Sequence, residues 1–184
     1  MRRGLNKKIV EKIRKSDIIE TGEVSYLRAP KIYLETTMFN FYLDADRDAH
    51  AATVKLFGEI AAGKYEAYTS TYVTDELEDT REPKRSQMMS LIAEYDIAVL
   101  TPNEEAARLA GLYVADGIIP VKYQTDALHI AITAVNELDM IISMNFQHIV
   151  KRKTKIATAN INALNGYRGI EILTPMEVIE NEEP

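Results

Sequence analysis

Three acids and an amide stand where a strand is expected to give way to a loop or helix. Glu35 follows Ile32-Tyr33-Leu34, Glu76 lies six residues beyond Ser70, Asp126 follows Thr125, and Asn145 follows Ile141-Ile142-Ser143-Met144. Carboxylates and amides are hard oxygen donors. Mg²⁺ and Mn²⁺ take such donors, keep several waters, and need only two or three carboxylates from a protein. A cation so held lowers the pKa of a bound water and neutralises charge growing on a phosphate, so the set points to metal-assisted phosphoryl chemistry. Without a cation, gathered carboxylates repel one another and their pKa values rise.

Each residue alone also has a plainer reading. Glu35 reads as a surface acid at a strand end, Asp126 as an acid favouring a helix start, and Asn145 as a turn or cap residue. Glu76 competes with Asp75 and Glu78 on one helix, and is preferred because it borders the buried side that Tyr72, Val73 and Leu77 define. Only their joint placement carries the chemical expectation.

That placement requires a particular scaffold. Strands are predicted at Ile32–Leu34, Glu66–Thr69, Ile97–Leu100, Met140–Ile142 and Ile170–Leu173. Helices are predicted over about 47–62, from Ser70 through Glu76, over 84–94, from Thr101-Pro102 to Ala115, over 126–137 with Thr125 as cap, and from Pro175. Met140–Ile142 is too apolar to face water on either side, as interior parallel strands are. Alternation without a hairpin signal predicts an α/β fold, a three-layer α/β/α sandwich around a central, mainly parallel sheet. Strand ends of such a sheet converge on one crevice at its carboxyl edge.

Residues 1–30 differ from the rest: Leu5, Ile9 and Ile13 form a narrow apolar stripe on a basic helix, and Gly22 and Pro30 mark a connector. The main domain is expected to span residues 31–184. The 184 residues suffice for one domain with a real core, and 46% hydrophobic against 27% charged residues argues against global disorder. The absence of cysteine excludes disulfides, thiolate zinc sites and cysteine nucleophiles, and fits a cytoplasmic location. No apolar run approaches the roughly 20 residues that span a bilayer. No glycine-rich loop follows a strand, which leaves dinucleotide and nucleoside-triphosphate binding without a motif.

The net charge of −6 argues against indiscriminate coating of nucleic acid. Lys151, Arg152, Lys153 and Lys155 nevertheless form a basic run just after Asn145, whereas Glu177, Glu180, Glu182 and Glu183 make the tail acidic. Both read as solvated surface, and the basic run also as a hold for a phosphate backbone. His129 and His148 each lie three residues after a candidate, Asp126 or Asn145, where histidine packs against its helix or ligates a transition metal. Tyr42 and Tyr167 read as half-buried packing or as stacking faces for unpaired bases.

The segments Tyr33-Leu34-Glu35-Thr36-Thr37-Met38-Phe39-Asn40, Asp126-Ala127-Leu128-His129-Ile130-Ala131 and Ile141-Ile142-Ser143-Met144-Asn145-Phe146 resemble, as a set and in order, the PIN-domain family. The likeness runs from about Lys31 to Ile179. It implies a metal-dependent ribonuclease using Mg²⁺ or Mn²⁺, of the VapC type found in toxin–antitoxin pairs. Glu35, Glu76 and Asp126 would then be metal ligands and, with Asn145, catalytic. Thr37 and Ser143 match the family's hydroxyls and, with Lys151, Arg152 and Lys153, would contact substrate. The resemblance further implies an RNA substrate, a cognate antitoxin and a homodimer. Two residues depart from the family's pattern: the first acid is usually aspartate rather than glutamate, and the fourth position is often aspartate rather than asparagine. The second departure removes a charge and favours an alternative, an RNA- or protein-binding module with weakened catalysis. A haloacid-dehalogenase-type phosphatase ranks last, because Glu35-Thr36-Thr37 lacks both of its aspartates.

Overall fold

The computed structural model describes residues 19–21, 24–26 and 28–179, with side chains from Arg28 onward. The predicted basic helix around Leu5–Ile13 lies outside the described residues. Where a connector was expected, β1 (Ile19–Thr21) and β2 (Val24–Tyr26) pair antiparallel, with Thr21 opposite Val24.

The main sheet contains β3 (Lys31–Leu34), β4 (Glu66–Ser70), β5 (Ala98–Leu100), β6 (Met140–Ile142) and β7 (Glu171–Leu173), in the order β5-β4-β3-β6-β7 and parallel throughout. Ile32, Tyr33 and Leu34 in β3 and Ile141 and Ile142 in β6 have no exposed surface, as strands covered on both faces require. Edge strand β5 leaves Val99 44% exposed.

Eight helices accompany the sheet among the described residues. They are α1 (Thr36–Leu43), α2 (His50–Ala61), α3 (Thr71–Glu78), α4 (Lys84–Glu94), α5 (Glu104–Ala115), α6 (Gln124–Val135), α7 (Arg152–Leu164) and α8 (Pro175–Val178). Helices α1 to α4 and α8 pack among themselves, as do α5, α6 and α7, giving the expected three layers. Two helices are absent from the sequence reading. Helix α1 follows Glu35 at once and was hidden by the short apolar strand before it; α7 begins inside the basic run.

Two cap assignments are corrected. Helix α5 starts at Glu104 behind Asn103, whose side chain accepts from the Ala106 N–H at 3.0 Å, so Thr101 is not the cap. A 3₁₀ turn, Val121–Tyr123, leads into α6, which starts at Gln124 and makes Thr125 an internal residue, so Asp126 stands in the first turn of a helix and not at the end of a strand. Helix α8 begins as expected at Pro175, behind a capping box of Thr174 and Glu177.

The chain leaves β3 for β4 and β5 on one side, then crosses to β6 and β7 on the other. The switch point is therefore the gap between the carboxyl ends of β3 and β6, where an open α/β sheet forms its crevice. Leu34 is level with Ile142, which sets Glu35 beside Ser143.

Candidate functional site

Glu35 leaves β3 in extended conformation and caps α1 with its own side chain. One carboxylate oxygen accepts the Thr37 N–H at 3.0 Å and the other the Thr37 hydroxyl. The extra methylene relative to aspartate is taken up by this fold-back. Only 3% of Glu35 is exposed, and burial raises its pKa to about 7 against the lowering pull of the Thr37 bonds.

Glu76 projects from α3 toward the same crevice, its side chain 40% exposed and one oxygen accepting the Thr36 hydroxyl. Partial burial raises its pKa, and the charges of Asp126 and Asp79 push the same way. Asp126, in the first turn of α6, is also raised by burial, with His148 and Asn145 pulling it back. Asp75 and Glu78 are exposed on α3, as Glu76 is; what sets Glu76 apart is its bond to Thr36 and the nearby charge of Asp126.

Asn145 links the two halves. Its Oδ1 accepts the N–H groups of Gln147 at 3.1 Å and His148 at 3.0 Å, which forces its Nδ2 outward to donate to Asp126 Oδ1 at 3.1 Å. The amide oxygen is thus committed to the turn, and what the crevice meets is a donor. Asparagine here holds Asp126 in place.

Two residues expected to touch substrate serve the scaffold. Ser143 has no exposed surface; its N–H bonds the Leu173 carbonyl at 3.0 Å and its Oγ accepts the Asn145 N–H at 2.9 Å. Substrate contact is corrected to positioning, because a side chain without surface cannot meet a ligand. Thr37, partly exposed, donates its hydroxyl to Glu35 and accepts the Met144 N–H at 2.9 Å, tying α1 to the loop after β6. Lys151, Arg152 and Lys153 are exposed at the start of α7 and make no ion pair among the described residues. Lys155 instead pairs with Glu177 at 3.7 Å, which shortens the basic run by one.

A buried polar chain beneath the acids escaped the sequence reading. The Tyr33 hydroxyl bonds Ser70 Oγ at 2.7 Å and His129 Nδ1 at 2.8 Å, and His129 Nε2 lies 4.0 Å from Glu76 Oε2. Full burial depresses the His129 pKa to about 4 and keeps the ring neutral. The available signal was a tyrosine between Ile32 and Leu34 in a strand buried on both faces, since a buried phenol needs a partner. His148 stacks on Tyr123, ring centroids 3.9 Å apart, and its buried Nε2 has no hydrogen-bond partner. Tyr42 takes the packing role: its ring lies 4.8 Å from that of Phe57 and its hydroxyl bonds Tyr95. Tyr167 bonds Arg108 and Glu105.

As the side chains stand, no group of three or more His, Asp or Glu residues among the described ones is close enough to share a metal ion. The donor set nevertheless suits a hard divalent cation. Glu76 and Asp126 are partly open to solvent, coupled in charge and raised in pKa, which is the condition a cation relieves. Glu35 could join them only by turning from Thr37. No helix among the described residues is long and apolar enough to cross a membrane. Neither the protein-family models nor the curated proteins include a match to this chain.

Proposed function

We propose that the protein is a metal-dependent ribonuclease of PIN type, hydrolysing phosphodiesters of unpaired RNA at the crevice between β3 and β6. The observation that carries this reading is the gathering of Glu35, Glu76, Asp126 and Asn145 from four separate elements at the switch point, with Glu76 and Asp126 coupled in charge. Glu76 and Asp126 would hold one Mg²⁺ or Mn²⁺. When bound, such an ion acidifies a water and offsets charge on the phosphate.

The chain's own groups do the rest. Asn145 orients Asp126. Glu35, raised to a pKa of about 7 by burial, would accept a proton from the attacking water only once its carboxylate turns from Thr37 toward the crevice. Lys151, Arg152 and Lys153 attract the backbone of the substrate. By the same resemblance, the reading extends to a cytoplasmic toxin, a homodimer, and a small antitoxin whose basic side chain fills the acidic crevice.

A second reading has a specific observation in its favour. Both Glu35 oxygens are satisfied by Thr37, and the Asn145 oxygen by two backbone N–H groups, as in a site that binds without cutting. The discriminating experiment incubates a mixed RNA pool with wild type, Asp126→Asn or Glu76→Gln in Mg²⁺, Mn²⁺ or EDTA. Cleavage that requires the ion and both carboxylates supports the nuclease. RNA affinity without product, in folded protein, supports the binding module. Undiminished cleavage by both variants removes the assignment.

A further inference from the structure

Phe146 follows Asn145 directly and keeps 55% of its surface exposed. It lines an open groove of about 410 Å³ together with Phe41, Asp46, Arg47, Asp48 and Met144. That volume falls within the range of small-ligand sites, about 300–1,000 Å³. The groove adjoins the crevice through shared elements. Phe41 lies on α1, which Glu35 caps, and the Met144 N–H is held by Thr37 at 2.9 Å.

One polar group of the groove is held in place. The Arg47 guanidinium sits 4.7 Å over the Phe41 ring and its Nε donates to Asp44 at 2.7 Å, which fixes its plane. Asp46 and Asp48 are exposed and form no ion pair among the described residues. Carboxylates only accept hydrogen bonds.

We propose that this groove is a stacking subsite for one unpaired nucleobase flanking the cleaved phosphate, and that it prefers guanine; this rests on the ribonuclease reading. The free face of Phe146 offers a stacking surface that every base can use. Selectivity comes from Asp46 and Asp48. Guanine turns two adjacent donors, N1–H and the N2 amino group, toward a carboxylate, whereas uracil offers a single donor, N3–H, between two carbonyl oxygens that a carboxylate repels. The loop bearing Phe146 is anchored at both crevice walls, through Thr37 and through the Asn145–Asp126 bond, so a stacked base would be held in register with the acids.

The test is fluorescence anisotropy of labelled guanine-rich and uracil-rich tetraribonucleotides in EDTA at low salt, where cleavage plays no part. Wild type, Phe146→Ala, Phe146→Tyr and the double variant Asp46→Asn/Asp48→Asn are compared, with circular dichroism to verify folding. Phe146→Ala is expected to weaken binding of the guanine-rich RNA about tenfold, and Phe146→Tyr to restore it. The double variant is expected to bring the two RNAs within about twofold of each other. Equal binding by wild type and Phe146→Ala, or no RNA binding by wild type, overturns the subsite. So does a change in sedimentation of Phe146→Ala with RNA binding intact, which would make the face a protein interface. Cleavage is assayed separately: Phe146-dependent binding without cleavage retains the subsite and removes the nuclease, and the converse result does the reverse.

Discussion

His129 Nε2 stands 4.0 Å from Glu76 Oε2, while the other ring nitrogen is held by the Tyr33 hydroxyl at 2.8 Å. With its pKa near 4, His129 is neutral at physiological pH, so it faces the carboxylate as a neutral ring and not as a counter-ion. Tyr33 links it to Ser70, and neither Tyr33 nor Ser70 has exposed surface. Tyr33→Phe therefore strands two buried polar groups and should destabilise the fold by about 1–3 kcal/mol. Urea unfolding measures this. A variant as stable as wild type would mean that the chain of bonds contributes nothing.

Glu35 and His129 oppose each other in their pH dependence. The folded-state pKa of Glu35 is raised from 4.5 to about 7 by burial, so its contribution is fully present below pH 4.5 and is lost as pH rises through 7. His129 is depressed from 6.5 to about 4, so its contribution is present above pH 6.5 and is lost as pH falls through 4. Glu35→Gln removes the first effect alone. Its stability relative to wild type should rise between pH 4.5 and 7 by on the order of 3 kcal/mol, at about 1.4 kcal/mol per pKa unit. Parallel curves for the two proteins across that range would contradict the raised pKa.

Divalent cations should stabilise the folded protein. At ten times its Kd, Mg²⁺ or Mn²⁺ adds roughly 1.4 kcal/mol, or a rise in Tm of about 3–6 °C for a chain of this size. Calorimetry should find the shift lost in Asp126→Asn and Glu76→Gln, and EDTA should reverse it. Asn145→Asp replaces a hydrogen bond to Asp126 with a like charge, so it should lower metal-free stability by about 1–2 kcal/mol while tightening cation binding. Equal Tm shifts in wild type and Asp126→Asn would place any cation elsewhere.

If Lys151, Arg152 and Lys153 hold an RNA backbone, changing all three to Gln should weaken binding of every sequence alike. The salt dependence, plotted as log K against log salt, should flatten by up to about 2, from a slope of roughly 0.7 per phosphate contact on a single strand. Substitution of Lys155 should matter less, since it already pairs with Glu177. An unchanged salt slope in the triple variant would leave the run as solvated surface.

Sequence alone determined the layers and the strand ends. Apolar runs such as Met140–Ile142, bounded by polar residues, mark interior strands because burial on both faces penalises any polar side chain that lacks a partner. Glu35, placed directly after such a run, falls at the carboxyl edge of the sheet, whereas Glu76 and Asp126 reach the crevice from helices. What the tertiary structure decided is what each group faces. Nothing local states that Glu35 folds back onto Thr37, that the Asn145 oxygen closes its own turn and turns the amide donor toward Asp126, or that Ser143 is enclosed. The Tyr33–His129 bond joins residues 96 positions apart, and Lys155 is removed from the basic run by Glu177 on another helix. Hydrophobic pattern is a property of neighbours along the chain; hydrogen-bond partnership and desolvation belong to neighbours in space, and only the folded chain brings those together.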